Sequence, residues 1–255
     1  MVFMKRISIV LCLMLIGLSS LMAQSEGKRL MFDLSHGQFQ DQWVDPSFYD
    51  YVIPGYQEIL IRNGVEYVPN KDEITAESLK DIDCLLMLSP LASKTQIDIT
   101  EGEKVAIADY IRNGGSVIML VDESDRVNLK KYGANDIISQ FGIKLGDDIN
   151  DVPGNCGAVS IPNEIFGGRR EVPYSGSRMV YGGIPGSLCM EGGYGHGAYT
   201  KLDNGGKLYV IGETMVGLLM GFPDGERNVH KRMQTRWWGK DSHLFMEELI
   251  MWALK

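Results

Sequence analysis

Residues 83–88 and 116–121 each open on one polar residue and are apolar thereafter, and the segment between them carries the start and stop signals of a helix. This combination constrains the fold more than any other feature of the chain. Apolar runs this short, bounded by polar residues, are strands buried on both faces, and such strands belong to parallel sheets covered by helices on either side. The segment 100–113 has Thr100 and Glu103 at the spacing of a capping box, in which each side chain satisfies a backbone amide left open at the helix start. Gly114 supplies a left-handed stop. Val105, Ile107, Ala108 and Ile111 fall on the face expected to meet the sheet.

The alternation extends in both directions. Residues 29–34 and 65–68 read as the first two strands, and 207–211 as a late buried strand. Helices are expected over 54–63, with Tyr56, Ile59 and Leu60 on one face and Gly64 as its end, and over 74–82, capped by Thr75. Further helices are expected over 135–141, carrying Ile137, Ile138 and Phe141, and over 242–254, with Leu244, Phe245, Leu249 and Trp252 turned to the core. Strands alternating with helices give a parallel sheet joined by right-handed crossovers. Glycines crowd the stretch from Gly167 to Gly197, so a glycine-rich elaboration of hairpins and loops is expected over about 152–205.

The start of the chain reads as a cleavable leader. Lys5 and Arg6 precede a short apolar run, and Ala23 offers the small residue that cleavage requires, so residues 1–23 form the expected signal peptide and 24–255 a single exported domain, periplasmic or at the cell surface. The run is short for a membrane span of ~20 residues, and no span is expected after cleavage. Cys12 follows Leu11 inside the apolar run, which argues against lipid attachment. Losing Lys5 and Arg6 from 25 basic residues set against 33 acidic ones moves the formal charge from −8 to −10, which argues against nucleic acid as a partner. Cys84, Cys156 and Cys189 remain. Cys84 lies in an apolar strand and is expected to be a buried thiol, while Cys156 and Cys189 could pair in an oxidising compartment. No Cys-x-x-Cys or His-x-x-x-His spacing is present, and neither a metal nor a cofactor is expected.

Three segments carry a resemblance. They are "NKDEITAESLKDIDCLLMLSP", "ITEGEKVAIADYIRNGGSVIMLVDES" and "NDIISQFGIKLGDDIN". With the closing "WWGKDSHLFMEELIMWAL", they resemble the GIFT domain, which is shared by a gliding-motility ABC-transporter auxiliary protein, an intraflagellar-transport subunit and an oligosaccharyltransferase subunit. They are also similar to the broader class I glutamine-amidotransferase-like group. The likeness implies an α/β, flavodoxin-like parallel sheet with helices on both faces. Active members of the amidotransferase class carry a nucleophilic cysteine on a tight turn after a strand, with a downstream His and Glu. Here the turn after the fourth strand reads Val121-Asp122-Glu123-Ser124, without cysteine or glycine, so the resemblance does not carry that activity over.

In an open parallel sheet, ligands sit beyond the carboxyl ends of the strands. Asp33, Ser35 and His36 follow the first strand, Ser89 the third, Asp122 and Glu123 the fourth, and Glu213 the late one. These are the candidate ligand-binding residues, joined by Trp237 and Trp238, which could stack on a sugar or anchor a protein partner. His36 could serve as a general base or a metal ligand if paired with Asp122 or Glu213; the alternative is a hydrogen-bonded histidine that shapes its loop. Trp43, Tyr49 and Tyr51 are placed in the loop after the first strand. The "GGYGHG" stretch around His196 lacks the ending and the helix of a phosphate loop. The sequence favours an exported, non-catalytic binding or assembly module whose ligand is a glycan or an envelope protein of a transport or surface system. The alternative is a hydrolase of carbohydrate or amide bonds that uses His36 and nearby carboxylates.

Overall fold

A computed structural model describes residues 27–38, 46–151, 157–173, 176–218 and 241–255, with backbone alone for 46–51. The expected leader, Trp43, Cys156 with its proposed pairing, Trp237 and Trp238 lie outside the described residues.

The architecture is mixed α/β, built on a nine-stranded sheet. Its parallel part comprises β1 (Arg29–Asp33), β2 (Glu66–Asn70), β3 (Cys84–Leu88), β4 (Ser116–Leu120) and β11 (Lys207–Ile211), in the order β2-β1-β3-β4-β11. β3, β4 and β11 are buried at every position, as their apolar runs require. Cys84 is fully buried, and that burial pushes its thiol far above the ordinary value. Side chains alternate between two cores. Leu30, Phe32, Leu86, Leu88, Ile118 and Leu120 face one side, and Met31, Leu85, Met87, Val117 and Met119 the other.

The first core is covered by α1 (Pro46–Arg62) and α6 (Ser242–Leu254), the second by α2 (Glu101–Arg112) with the short helices α3 (Leu129–Tyr132) and α4 (Ala134–Ile138). In α2 the capping box of Thr100 and Glu103 is complete in both directions. Gly114 follows at φ +100°, a conformation that a side chain at Cβ disfavours. Ile107, Ala108 and Ile111 are buried, but Val105 points to solvent because it falls outside the stripe that meets the sheet. Leu244 is likewise outside the stripe of α6 and exposed, whereas Phe245, Leu249 and Trp252 are buried.

Two elements differ from expectation. α1 starts at Pro46 and runs through Pro54. Pro54 cannot donate to the carbonyl four residues back. The helix continues because Val52, Tyr56, Ile59 and Leu60 pack into the first core, with the Tyr56 hydroxyl donating to the Gly217 carbonyl at 2.8 Å. Tyr49 and Tyr51 therefore lie in a helix rather than a loop. Residues 76–81 form turns rather than a helix. Thr75 caps them as expected, its hydroxyl accepting from the Ser78 amide at 3.1 Å, but the segment before β3 is too short to repay helix nucleation.

The glycine-rich stretch extends the sheet sideways. β6 (Ala158–Ser160), β7 (Glu171–Val172), β9 (Ile184–Cys189) and β10 (Gly195–Lys201) continue it antiparallel beyond β11, while β5 (Ile143–Asp148) and β8 (Arg178–Gly182) form a separate pair. The short helix α5 (Met215–Leu218) follows β11. No helix among the described residues is long and apolar enough to cross a membrane.

Candidate functional site

The carboxyl ends of β1, β3, β4 and β11 bring most of the expected residues to one edge of the sheet, but their hydrogen bonds divide them into separate groups.

The first group is built where β1 ends. Asp33 Oδ1 accepts from the Ser35 amide at 3.0 Å and its hydroxyl at 2.6 Å. Asp33 Oδ2 faces His36 Nδ1 at 2.7 Å and accepts from the Gln38 side chain. Gly37 follows at φ +82°, and any Cβ there would collide with the Thr95 carbonyl. His36 does not meet Asp122 or Glu213. Its Nε2 faces Glu103 Oε2 at 3.4 Å instead. The reason is topological: β1 lies between β2 and β3, two strands from the turn that carries Asp122, while the start of α2 comes down beside it. Burial alone would lower the His36 pKa; the hydrogen bond and charge of Asp33, then those of Glu103, prevail and hold it above the ordinary value. His36 is 1% exposed.

The second group surrounds the turn after β4. The Ser89 hydroxyl accepts from the Asp122 amide at 2.9 Å, tying the exit of β3 to that of β4. The Asp122 carboxylate accepts from the Thr214 hydroxyl and, at 2.9 Å, from the Glu123 amide. Arg126 Nε lies 3.8 Å from Asp122 and 3.6 Å from Glu123. Asp122 is wholly buried, and burial raises its carboxyl pKa against the opposing pull of Arg126 and Thr214. Glu123 is only partly covered, and burial, then the neighbouring Asp122, raises it too. The Ser124 amide donates to Asp148 at 3.0 Å.

Glu213 turns away from both groups. Its Oε1 lies 3.0 Å from His196 Nε2, and His196 Nδ1 lies 2.8 Å from the Ser187 hydroxyl. Sequence reasoning did not find this Ser187–His196–Glu213 array. The partners are brought together by the registers of β9, β10 and β11, which leave no local motif. All three side chains are fully buried, and their hydrogen bonds tie β9, β10 and the end of β11 together.

Among the described residues no group of three His, Cys, Asp or Glu side chains could hold a metal ion. A cavity of about 710 Å³ lies at the opposite, amino end of the strands, lined by Lys28, Asp83, Tyr110, Ser116 and Lys207 among others. Two of its lysines are engaged within the protein: Lys28 bonds Asp83 at 2.7 Å, and Lys207 Nζ bonds the Trp252 carbonyl at 3.1 Å. This cavity therefore lies at the end of the sheet opposite to the His36 and Asp122 groups.

No protein-family model and no curated protein matches the chain in sequence. Solved structures do match in shape. The mmIFT52 N-terminal domain superposes with a TM-score of 0.60 at 12% identity, covering 89% of this chain and 97% of that one. The chain shares the fold of that domain, in agreement with the GIFT resemblance of its sequence. A cytoplasmic protein from Salmonella typhimurium shares it with a TM-score of 0.50 at 12% identity, covering 87% of this chain and 98% of that one. An exo-beta-1,4-mannosidase from Opitutaceae bacterium strain TAV5 gives 0.51 at 10% identity over 91% of this chain and 36% of the larger protein. In this fold, the turn after β4 carries Asp122 and Glu123 and no cysteine. The hydrogen bonds of Asp122 are spent inside the protein.

Proposed function

We propose that the chain is a non-catalytic binding or assembly module, built on a flavodoxin-like sheet and acting outside the cytosol. The observation that carries this reading is Asp122. It occupies the turn after β4, is wholly buried, and is committed to Thr214 and the Glu123 amide rather than facing a substrate. The strand order β2-β1-β3-β4-β11 supports the flavodoxin-like description. Lys5, Arg6, the apolar run and Ala23 support export. The partner proposed is a protein of an envelope transport or surface system, supported by the likeness to a domain of an intraflagellar-transport subunit. A glycan is the second ligand class, supported by the likeness to part of a mannosidase. Among the described residues, the turn from Glu123 to Arg126 offers surface at this edge: Glu123 and Arg126 are partly exposed, and Ser124 and Asp125 are exposed.

The hydrolase alternative loses support because His36 and Ser187 are sealed from solvent. The purified protein is expected to release no ammonia from glutamine and no sugar from aryl glycosides. A turnover that disappears in Glu123→Gln would overturn the non-catalytic reading. Thermal-shift screening against a glycan panel separates the ligand classes, since a shift lost in Glu123→Gln supports a glycan and a flat panel supports a protein partner.

A further inference from the structure

His36 lies between two carboxylates that solvent does not reach: Asp33, His36 and Glu103 are 0%, 1% and 3% exposed. Both acids have already taken neutral donors. Asp33 accepts from Ser35 and Gln38, and Glu103 accepts from the amides of Ile74 and Thr100, each at 2.9 Å. Among the described residues neither carboxylate pairs with a lysine or arginine. A neutral imidazole has one N–H and can donate to only one of the two, leaving its lone pair against the other. An imidazolium donates to both and supplies the only positive charge in the cluster.

The imidazole also joins separate parts of the chain. Asp33 closes β1. The His36 carbonyl accepts from the Ile97 amide at 3.4 Å. Glu103 holds the turn at Ile74 and the cap of α2. From α3, the Tyr132 ring meets the imidazole edge-on at 6.2 Å. Burial, then Asp33 and Glu103, keep the Tyr132 hydroxyl protonated far above its ordinary range, so it does not titrate with the histidine.

We propose that His36 is a proton-controlled clasp, which when charged locks the exit of β1 to the turn at Ile74 and the start of α2, and when neutral lets that corner open. A histidine whose folded pKa is raised stabilises the fold fully below its ordinary value of 6.5, and that contribution is lost as pH rises through the raised value. The clasp therefore closes in acid and loosens toward alkaline pH.

The test is an NMR titration of the His36 imidazole in the wild-type protein, read with hydrogen exchange of residues 35–38 and 100–104. After correction for intrinsic exchange, that corner should open further as the imidazole titrates, by about tenfold for each pKa unit of elevation. β4 should show no matching step. In His36→Gln, exchange at the corner should stay at the open level across the same range. A His36 pKa at or below 6.5, or no step at the corner, overturns the proposal. Both readings come from the wild-type protein, so they decide the question even if the variant does not fold.

Discussion

Arg178 Nε donates to the backbone carbonyl of Asp122 at 2.7 Å, so the turn after β4 is held by a side chain from β8. The same guanidinium reaches the Val127 carbonyl at 2.6 Å and lies 3.6 Å from Asp148. Burial lowers its pKa, and Asp148 and Asp122 offset part of that effect. Replacing Arg178 by alanine leaves two carbonyls without a donor and should cost about 2–4 kcal/mol, measured by urea unfolding. Arg178→Lys should restore little, because one ammonium cannot span both carbonyls. A cost below about 0.5 kcal/mol for alanine would show that water replaces the arginine.

Asp122 gives a pH dependence of definite sign. Its carboxyl pKa is raised in the folded protein, so its contribution to stability is full below the ordinary value of 3.8 and falls as pH rises through the folded value. Asp122→Asn removes that loss. Relative to wild type, the variant should gain stability steadily from acid toward neutral pH, as read from unfolding midpoints at a series of pH values. A constant difference between the two proteins would contradict the assignment.

His36→Ala should weaken the fold itself rather than ligand binding alone. It strips Asp33 and Glu103 of their one cation, and breaking a buried pair costs about 3–5 kcal/mol. A variant as stable as wild type below pH 6 would show that the imidazole is not charged there.

The Tyr132 hydroxyl is buried without a hydrogen-bond partner. Removing an unsatisfied buried polar group while keeping the ring relieves a desolvation cost. Tyr132→Phe should be neutral or stabilising by up to about 1 kcal/mol, and a clear loss of stability would mean that the hydroxyl is bonded in solution.

Features of the fold that depend on local signals were legible in the sequence. β3 and β4 announce themselves by continuous apolar runs, and α2 by Thr100, Glu103 and Gly114. The local signal for α1 begins only at Pro54, a residue that disfavours helix before it, and the packing of Val52 and Tyr56 that overrides this signal is tertiary. The candidate site was legible as a set of strand ends but not as a set of pairs. Which carboxylate His36 meets depends on strand order, and Thr214 reaches Asp122 across a separation of 92 residues. Ser187, His196 and Glu213 meet only because strands that run antiparallel bring them into line. A single sequence records each of these residues and nothing of their registration.

β11 pairs in parallel with β4 on one side and antiparallel with β10 on the other, and it is the only strand that joins the two halves of the large sheet. During synthesis it emerges after every other described strand, so the earlier four parallel strands present an open edge until residues 207–211 arrive. Assembly from the amino terminus would therefore stall at a half-built sheet, and the last step to a closed core is a strand insertion between two preformed parts. The core of the large sheet cannot close while the strand that completes it is still unmade.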